Sequence, residues 1–284
     1  MSLEWSTPQS EDEIGRFSWC GFSVGSNILL PRLSRTDRKP KVKFIWRAGK
    51  VGALPPATFR HEFINAQGDT TWMAMGGDYE LFRYEVWDSG VFCLRPGEDQ
   101  IEFFDNGRPA DPMRVEHALV NTALGMFFNF QGALCLHAAA VARDGDGVVL
   151  AGPSGVGKST LAWELVEQGW DFLSDDIAVI TREKSGWVIH PGPCTIRLLD
   201  RSLTGSWNNR GKLESVMQTL DYPPKLKEIR LMTLDRVVPT QPQICRSISE
   251  LQMAWTWADP ATRKSLLMSV WDLLEEIPVV PVSR

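Results

Sequence analysis

Residues 152–159 read Gly-Pro-Ser-Gly-Val-Gly-Lys-Ser, and two adjacent carboxylates, Asp175 and Asp176, follow a short way downstream. The three glycines permit backbone turns that aim successive N–H groups inward as an anion-binding nest. A helix opening at the end of the loop adds the partial positive charge of its N-terminus at the same spot. In the pattern G-x-x-x-x-G-K-S/T, Lys158 is placed to reach the β- and γ-phosphates and the Ser159 hydroxyl to join a Mg2+ shell. Gly152, Pro153, Ser154, Gly155, Val156, Gly157, Lys158, Ser159 and Thr160 are therefore the candidate contacts of a nucleoside triphosphate. The bland alternative is a chance glycine-rich turn. It fits poorly with the strand predicted before the loop and the helix predicted after it.

The aspartate pair leaves a short predicted strand, where phosphate-loop enzymes commonly keep an acid for Mg2+. Adjacent carboxylates at a strand exit can point differently. One can serve the metal while the other takes the proton of an attacking hydroxyl. Against this stands a solvated loop end, with Asp175 as a turn former. The chain has no LSGGQ stretch, no N-K-x-D and no H-R-D-L-x-x-x-N, which disfavours a transporter ATPase, a signalling GTPase and a protein-kinase catalytic loop.

The elements that must position these groups can be read from periodicity. "ALCLHAAAVAR" reads as a strand, "DGDG" as a hairpin turn and "VVLAG" as the strand feeding the glycine loop. A helix runs from about Lys158 to Gln168 and ends at Gly169, and "WDFL", "IAVIT" and "GWVIH" follow as strands. Two helical stretches, around 247–257 and 260–275, meet at Asp259-Pro260. Upstream, the first 110 residues read mostly as β structure. In "KVKFIW", Val42, Phe44 and Trp46 alternate with Lys43 and Ile45. Residues 79–104 form a three-stranded meander punctuated by turns. Asp111 then caps a helix with Pro112 in its first position, and Val115, Leu119, Thr122, Met126, Phe127 and Phe130 recur at helical spacing up to Gly132. The expected division is a β-rich N-terminal domain over 1–110, a candidate for substrate binding, and an α/β phosphate-loop domain with a mixed sheet over 111–284.

Composition is that of an ordinary globular chain of 284 residues, 43% hydrophobic and 23% charged. A net charge of −5 argues against general nucleic-acid binding. The five cysteines are scattered singly, which suits buried thiols in a reducing compartment. The polar, acidic N-terminus lacks the blocks of a secretory signal, and no apolar run is long enough to span a bilayer. These readings lead us to expect a cytoplasmic protein without membrane partners.

Over about 133–180, "LHAAAVARDGDGVVLAGPSGVGKSTLAWELVEQGWDFLSDDIAVI" resembles the C-terminal domain of the HPr serine kinase/phosphorylase family. It is most similar to the HPr-kinase-related peptide serine kinases of ribosomal (lasso-type) peptide biosynthesis. The shared order is a histidine on the first strand, a hairpin, the phosphate loop, E-L-V-x-x-G on the helix and D-D after the next strand. The likeness continues weakly through "PGPCTIRLLD" and "PPKLKEIRLMTLDR". It implies an HPr-kinase/PEP-carboxykinase-like core using ATP and Mg2+ to phosphorylate an acceptor serine of a peptide or protein. By motif position it makes Asp175 the general base and Asp176 a metal-associated acid. It sets His137 near the phosphates, and Arg197 matches an arginine common in the related kinases. The family's homo-oligomers are implied as well. "VIHPGPCTIRLLD" contains no glutamate to match a further acid of the bifunctional enzymes, so the reverse reaction is not implied.

Several features stay open at this stage. Residues 32–50 hold eight Lys or Arg against the single acid Asp37, which reads as a solvated edge strand or as a groove for an acidic peptide or phosphate. Arg197, Arg201, Arg210 and Lys212 are candidates to neutralise charge in phosphoryl transfer. The tail "MAWTWADPATRKSLLMSVWDLLEEI" spaces Leu266, Val270, Leu273 and Leu274 as a packed helix. Two alternatives to a peptide kinase remain: a kinase of a small-molecule alcohol, and a nucleotide-switched regulatory module.

Overall fold

The structure is a computed structural model that describes residues 14–52, 59–64, 70–76, 82–86, 89–95, 97–199, 212–233, 239–256 and 258–283. The chain divides into two compact units, Met1–Phe127 and Phe128–Arg284.

The first unit is built on a nine-stranded sheet. Its strands are β1 (Gly15–Trp19), β2 (Phe22–Ser26), β3 (Ser34–Arg35), β4 (Val42–Arg47), β5 (Phe59–Ile64), β6 (Thr70–Gly76), β7 (Phe82–Val86), β8 (Gly90–Leu94) and β9 (Gln100–Phe104). Their order across the sheet is β3-β1-β2-β4-β9-β8-β7-β6-β5. The expected meander is present as β7, β8 and β9, paired antiparallel in sequence order. Register puts Phe44, Ile101, Phe103 and Phe92 on one face, where all four are buried. Phe92 and Phe103 meet with ring centroids 4.8 Å apart, and Trp46 meets Phe103 edge-on at 5.0 Å. The alternation in "KVKFIW" is incomplete, because Ile45 is buried as well. It shares the opposite face with Cys93, which packs with Val91 in a second, smaller cluster.

Asp111 caps the next helix as expected, accepting from the Met113 amide at 3.0 Å with Pro112 behind it. The helix runs as α1 (Pro112–Ala118), a wide π turn (Leu119–Ala123) and α2 (Leu124–Phe130). A π turn displaces carbonyls from the regular ladder, and Val120 O accepts here from the buried Trp19 indole N–H at 2.9 Å. Glu116, fully buried, accepts from the Arg32 amide at 2.9 Å and pairs with the Arg32 guanidinium at 3.7 Å. These ties bind the helix to the first sheet. The division between the units falls after Phe127, within the helical run that follows Asp111.

The second unit has an eight-stranded mixed sheet. Its strands are β10 (Leu134–Leu136), β11 (Ala139–Arg143), β12 (Asp146–Ala151), β13 (Asp171–Ser174), β14 (Ala178–Glu183), β15 (Gly186–His190), β18 (Lys225–Thr233) and β19 (Val279–Ser283). A separate hairpin comprises β16 (Thr195–Leu199) and β17 (Lys212–Val216). The order is β10-β14-β15-β18-β12-β11-β13, with β19 beside β18. Asp144 and Gly145 turn β11 into β12 with φ of 55° and 85°, the two positive values a type I′ turn requires. Helix α3 (Lys158–Glu167) covers one face against Val141, Leu150 and Phe172. Helices α4 (Gln241–Glu250) and α5 (Pro260–Glu276) supply Ile244, Ile248, Val270 and Leu273 to the other. This is a mixed α/β unit with its sheet covered on both faces.

Two expectations are corrected here. "ALCLHAAAVAR" is not one strand, because it breaks at His137-Ala138 into β10 and β11. The first of the two late helices lies at 241–250 instead of 247–257. Thr240 and Gln243 form a capping box that starts it early. Beyond Glu250 the backbone is drawn to the edge of β10, where Leu251 O accepts from His137 N at 2.7 Å and Met253 N donates to Cys135 O at 2.9 Å. Asp259 caps α5, accepting from the Ala261 and Thr262 amides. Among the described residues no helix is long and apolar enough to cross a membrane.

Removing Glu116 would take a fully buried counter-charge from Arg32. Glu116→Ala should therefore destabilise the protein by about 3 kcal/mol, read as a shift of the denaturation midpoint; a loss under about 1 kcal/mol would rule out a stabilising pair. Asp105 gives a pH test. Burial alone would raise its carboxyl, but donation from Gly49 N (2.7 Å), Gly107 N (2.9 Å) and Trp46 Nε1 (3.2 Å) holds it below the ordinary value of 3.8. A depressed folded-state pKa contributes stability that is full above the unfolded value and lost as pH falls through the folded one. Asp105→Asn should flatten the acid limb of a melting-temperature profile below about pH 4, and an unchanged limb would remove Asp105 from that role.

Candidate functional site

Strand β11 sets the site. It runs antiparallel to both of its neighbours, with Ala139 opposite Leu150 of β12 and Ala140 opposite Ser174 of β13. The N-terminal end of β11 therefore meets the C-terminal ends of the other two. At that one end lie His137, just ahead of β11, the glycine loop leaving β12, and Asp175-Asp176 leaving β13. The register adds a second constraint. Leu136 pairs with Ala178, and Ala140 pairs with Ser174. Both pairs fit one continuous antiparallel ladder, broken between them so that residues 137–139 face 175–177. The aspartates occupy the gap where two bent strands part.

Gly152, Gly155 and Gly157 carry φ of 148°, 81° and 99°, all in the region L side chains avoid. Gly152 is also sterically required, since a Cβ there would lie 2.7 Å from Met232 O. Gly157 stands immediately before the helix, which opens at Lys158. Lys158, a buried residue, folds over the loop, its ammonium donating to Gly152 O at 2.9 Å and Pro153 O at 3.2 Å. Around it Pro153, Ser154 and Gly155 are exposed, Val156 is buried against α3, and Ser159 and Thr160 are half-buried on the first turn.

One hydrogen bond joins the loop to the acids: Ser159 Oγ donates to Asp175 Oδ1 at 2.8 Å. Asp175 is 4% exposed. Asp176 is half-buried and takes φ of 64°, a left-handed conformation that turns the chain sharply between the carboxylates. The preceding Ser174 hydroxyl is fully buried and has no hydrogen-bond partner among the described residues.

The other expected residues are distributed differently. Arg197 lies on β16 opposite Glu214, in a hairpin whose Ile196 and Leu198 pack against the α3 cluster, and Lys212 lies on β17 opposite Leu199. Arg201 and Arg210 fall outside the described residues. Sequence reading missed the end of β18. Leu231 pairs in parallel with Ala151, which brings Met232 and Thr233 alongside the glycine loop. The only sequence signal was the strand-like run "KLKEIRLMT", which cannot reveal its neighbour. Among the described residues no group of three or more His, Cys, Asp or Glu is arranged to hold a metal ion.

This site belongs to the class in which a strand, a glycine loop and a helix N-terminus converge on a serine–carboxylate pair. A family profile described as SynChlorMet cassette protein ScmC matches residues 113–220, less than half of the chain. No curated protein matches. Among solved structures, the Hpr(Ser) kinase/phosphatase from Coxiella burnetii is similar over 38% of this chain and 71% of its own, with 19% identity and a TM-score of 0.28. A score that low carries no argument, so the α/β character rests on the sheets described above.

The glycines separate two costs. Gly155→Ala meets no atom within 4 Å and adds only positive-φ strain, about 1 kcal/mol. Gly152→Ala adds a backbone collision and should destabilise by at least about 2 kcal/mol more. Equal midpoints for the two variants in denaturant would contradict the close approach of Met232.

Proposed function

We propose that the second unit is an ATP- and Mg2+-dependent phosphotransferase with an HPr-kinase/PEP-carboxykinase-like phosphate-loop core. Its acceptor is a serine hydroxyl of a peptide or protein, such as a ribosomal natural-product precursor. The observation that carries this reading is the Ser159–Asp175 bond at the sheet end shared by the glycine loop and His137. A serine directly after the loop lysine, hydrogen-bonded to a buried carboxylate, suits the shell of a Mg2+ ion. Such an ion takes one or two protein oxygens and draws the rest from phosphates and water. When bound, Mg2+ neutralises charge on the phosphates.

Lys158 exchanges its bonds to Gly152 O and Pro153 O for phosphate oxygens, and the loop amides hold the triphosphate. The acceptor oxygen attacks the γ-phosphorus, the bond to the bridging oxygen breaks, ADP leaves, and the hydroxyl proton passes to a carboxylate. Asp175 is engaged with Ser159, which supports assigning it to the metal side and giving the proton to Asp176. That reverses the order the resemblance implies. To His137, just ahead of β11 at the same sheet end, we assign the orienting of transferring oxygens. Arg197, on the hairpin over α3, is the arginine we assign to charge stabilisation. Most of the rate enhancement then comes from positioning and electrostatics.

The test combines the protein with Mg-ATP and candidate peptides and looks for a phosphate-sized mass gain. Asp176→Asn should lower transfer at least about a hundredfold with ATP affinity kept. Asp175→Asn and Lys158→Ala should each weaken Mg-dependent binding of a fluorescent ATP analogue. If Asp176→Asn transfers normally while Asp175→Asn binds nucleotide but does not transfer, the carboxylate roles are the other way round. ATP consumption that ignores every acceptor would favour a nucleotide switch, and phosphorylation of small alcohols alone would overturn the peptide assignment.

A further inference from the structure

The phosphotransfer site leaves the basic segment of the first unit unexplained, and the structure gives that segment a definite shape. Ser23, buried on β2, grips the chain twice. Its hydroxyl donates to Arg38 O at 2.9 Å, and its carbonyl accepts from Lys41 N at 2.8 Å. Lys39 and Pro40 are thereby held out as a two-residue tip. The Arg38 guanidinium braces the base, donating to Gly21 O at 2.9 Å and Ser18 Oγ at 3.2 Å. Pro40 fixes the backbone further and lies over Gly25, where a Cβ would sit 3.1 Å from its ring.

Around this tip the register collects cations. Arg16 of β1 and Lys43 of β4 both pair with Gly25 of β2, so they stand two strands apart, about 10 Å. Lys41 precedes Lys43 on the same face, about 7 Å away. Arg16, Arg38, Lys39, Lys41 and Lys43 are all exposed. The neighbouring exposed acids include Asp37 and Asp99, with Glu98 beside Arg95. Among the described residues none of them pairs with the three lysines, whereas Arg47 and Arg95 farther along the sheet are paired with Glu102.

We propose that this braced Arg38–Lys43 loop is a docking site for an acidic peptide segment. Charge complementarity is the first argument: five exposed cations gather on the loop and the strands beside it, Arg16 and Lys43 about 10 Å apart, in a chain whose net charge is −5. Preorganisation is the second, because a loop already held at its base loses little freedom on binding. The same features weigh against nucleic acid. No large aromatic side chain of residues 14–52 is exposed to stack a base. A long polyanion would also extend past the Debye length of about 8 Å into the field of an acidic protein. A short acidic segment stays within the patch. This reading uses no nucleotide, so it stands or falls separately from the phosphotransfer proposal.

The test is fluorescence anisotropy of a labelled oligoglutamate of about eight residues with the full chain, without nucleotide, at low salt and at about 0.3 M salt. Binding should weaken with salt. The Lys39→Ala, Lys41→Ala, Lys43→Ala triple variant should lose at least about tenfold in affinity. Ser23→Ala keeps every charge but releases Arg38 O, and should weaken binding a few-fold through lost preorganisation. Melting temperatures of both variants near that of the parent establish that they fold. Parent-like binding by the triple variant would overturn the site. Tighter binding of an oligothymidylate of equal length would overturn the peptide as its occupant.

Discussion

The second unit depends on one interrupted ladder. Segments 134–143 and 171–180 run antiparallel on either side of the gap, in one register from Leu134 to Ala140 and shifted by a bulge between Ala140 and Val141, yet the halves belong to different parts of the sheet. β10 and β14 lead on to β15, while β11 and β13 lie beside β12. Two bent strands thus tie the ends of the sheet together through covalent links at 137–138 and 175–177. Backbone groups released from a ladder need other partners. The segment after α4 supplies one, accepting from His137 N. The gap admits residues that a continuous ladder would have kept in register, and it opens at the end of β12 where the glycine loop begins.

Position in the sheet then governs what the loop can be. β18 runs parallel to β12 on the side away from β11, and its Met232 carbonyl stands where a side chain at residue 152 would go. Gly152 answers to tertiary packing as well as to backbone freedom. Gly155 answers to backbone conformation alone. The loop is confined by β18 at its start and by α3 at its end, where Val156 is buried in the helix cluster. A lysine emerging from that confinement reaches back over the loop, as Lys158 does.

Much of this was legible in the sequence wherever the signal was local. The glycine spacing, the Asp144-Gly145 turn, the Asp111 cap and the β7–β9 meander each depend on a few neighbouring residues, and each appears where expected. What could not be read was set by partners distant in sequence. "LCLHAAAV" is apolar throughout, and periodicity cannot show that a strand breaks where its partner 40 residues on departs as well. The start of α4 was missed because Thr240-Gln243 capping lies ahead of the apolar positions that marked a helix. The helix after Asp111 reads equally well with either unit, and Glu116 and Val120 join it to the first through Arg32 and Trp19.

The aspartate pair shows what structure adds to a motif. In the sequence Asp175 and Asp176 are equivalent, and only resemblance could rank them. In the fold they differ in every respect that matters to their chemistry. Asp175 is almost fully buried and committed to Ser159. Asp176 is itself left-handed, with more of its surface open. A group that supports a metal gains from being fixed, because its geometry must not relax as charge moves. A group that accepts a proton from an incoming hydroxyl must be reachable within hydrogen-bond distance. The left-handed backbone at Asp176 gives two identical side chains these opposite properties across a single peptide bond.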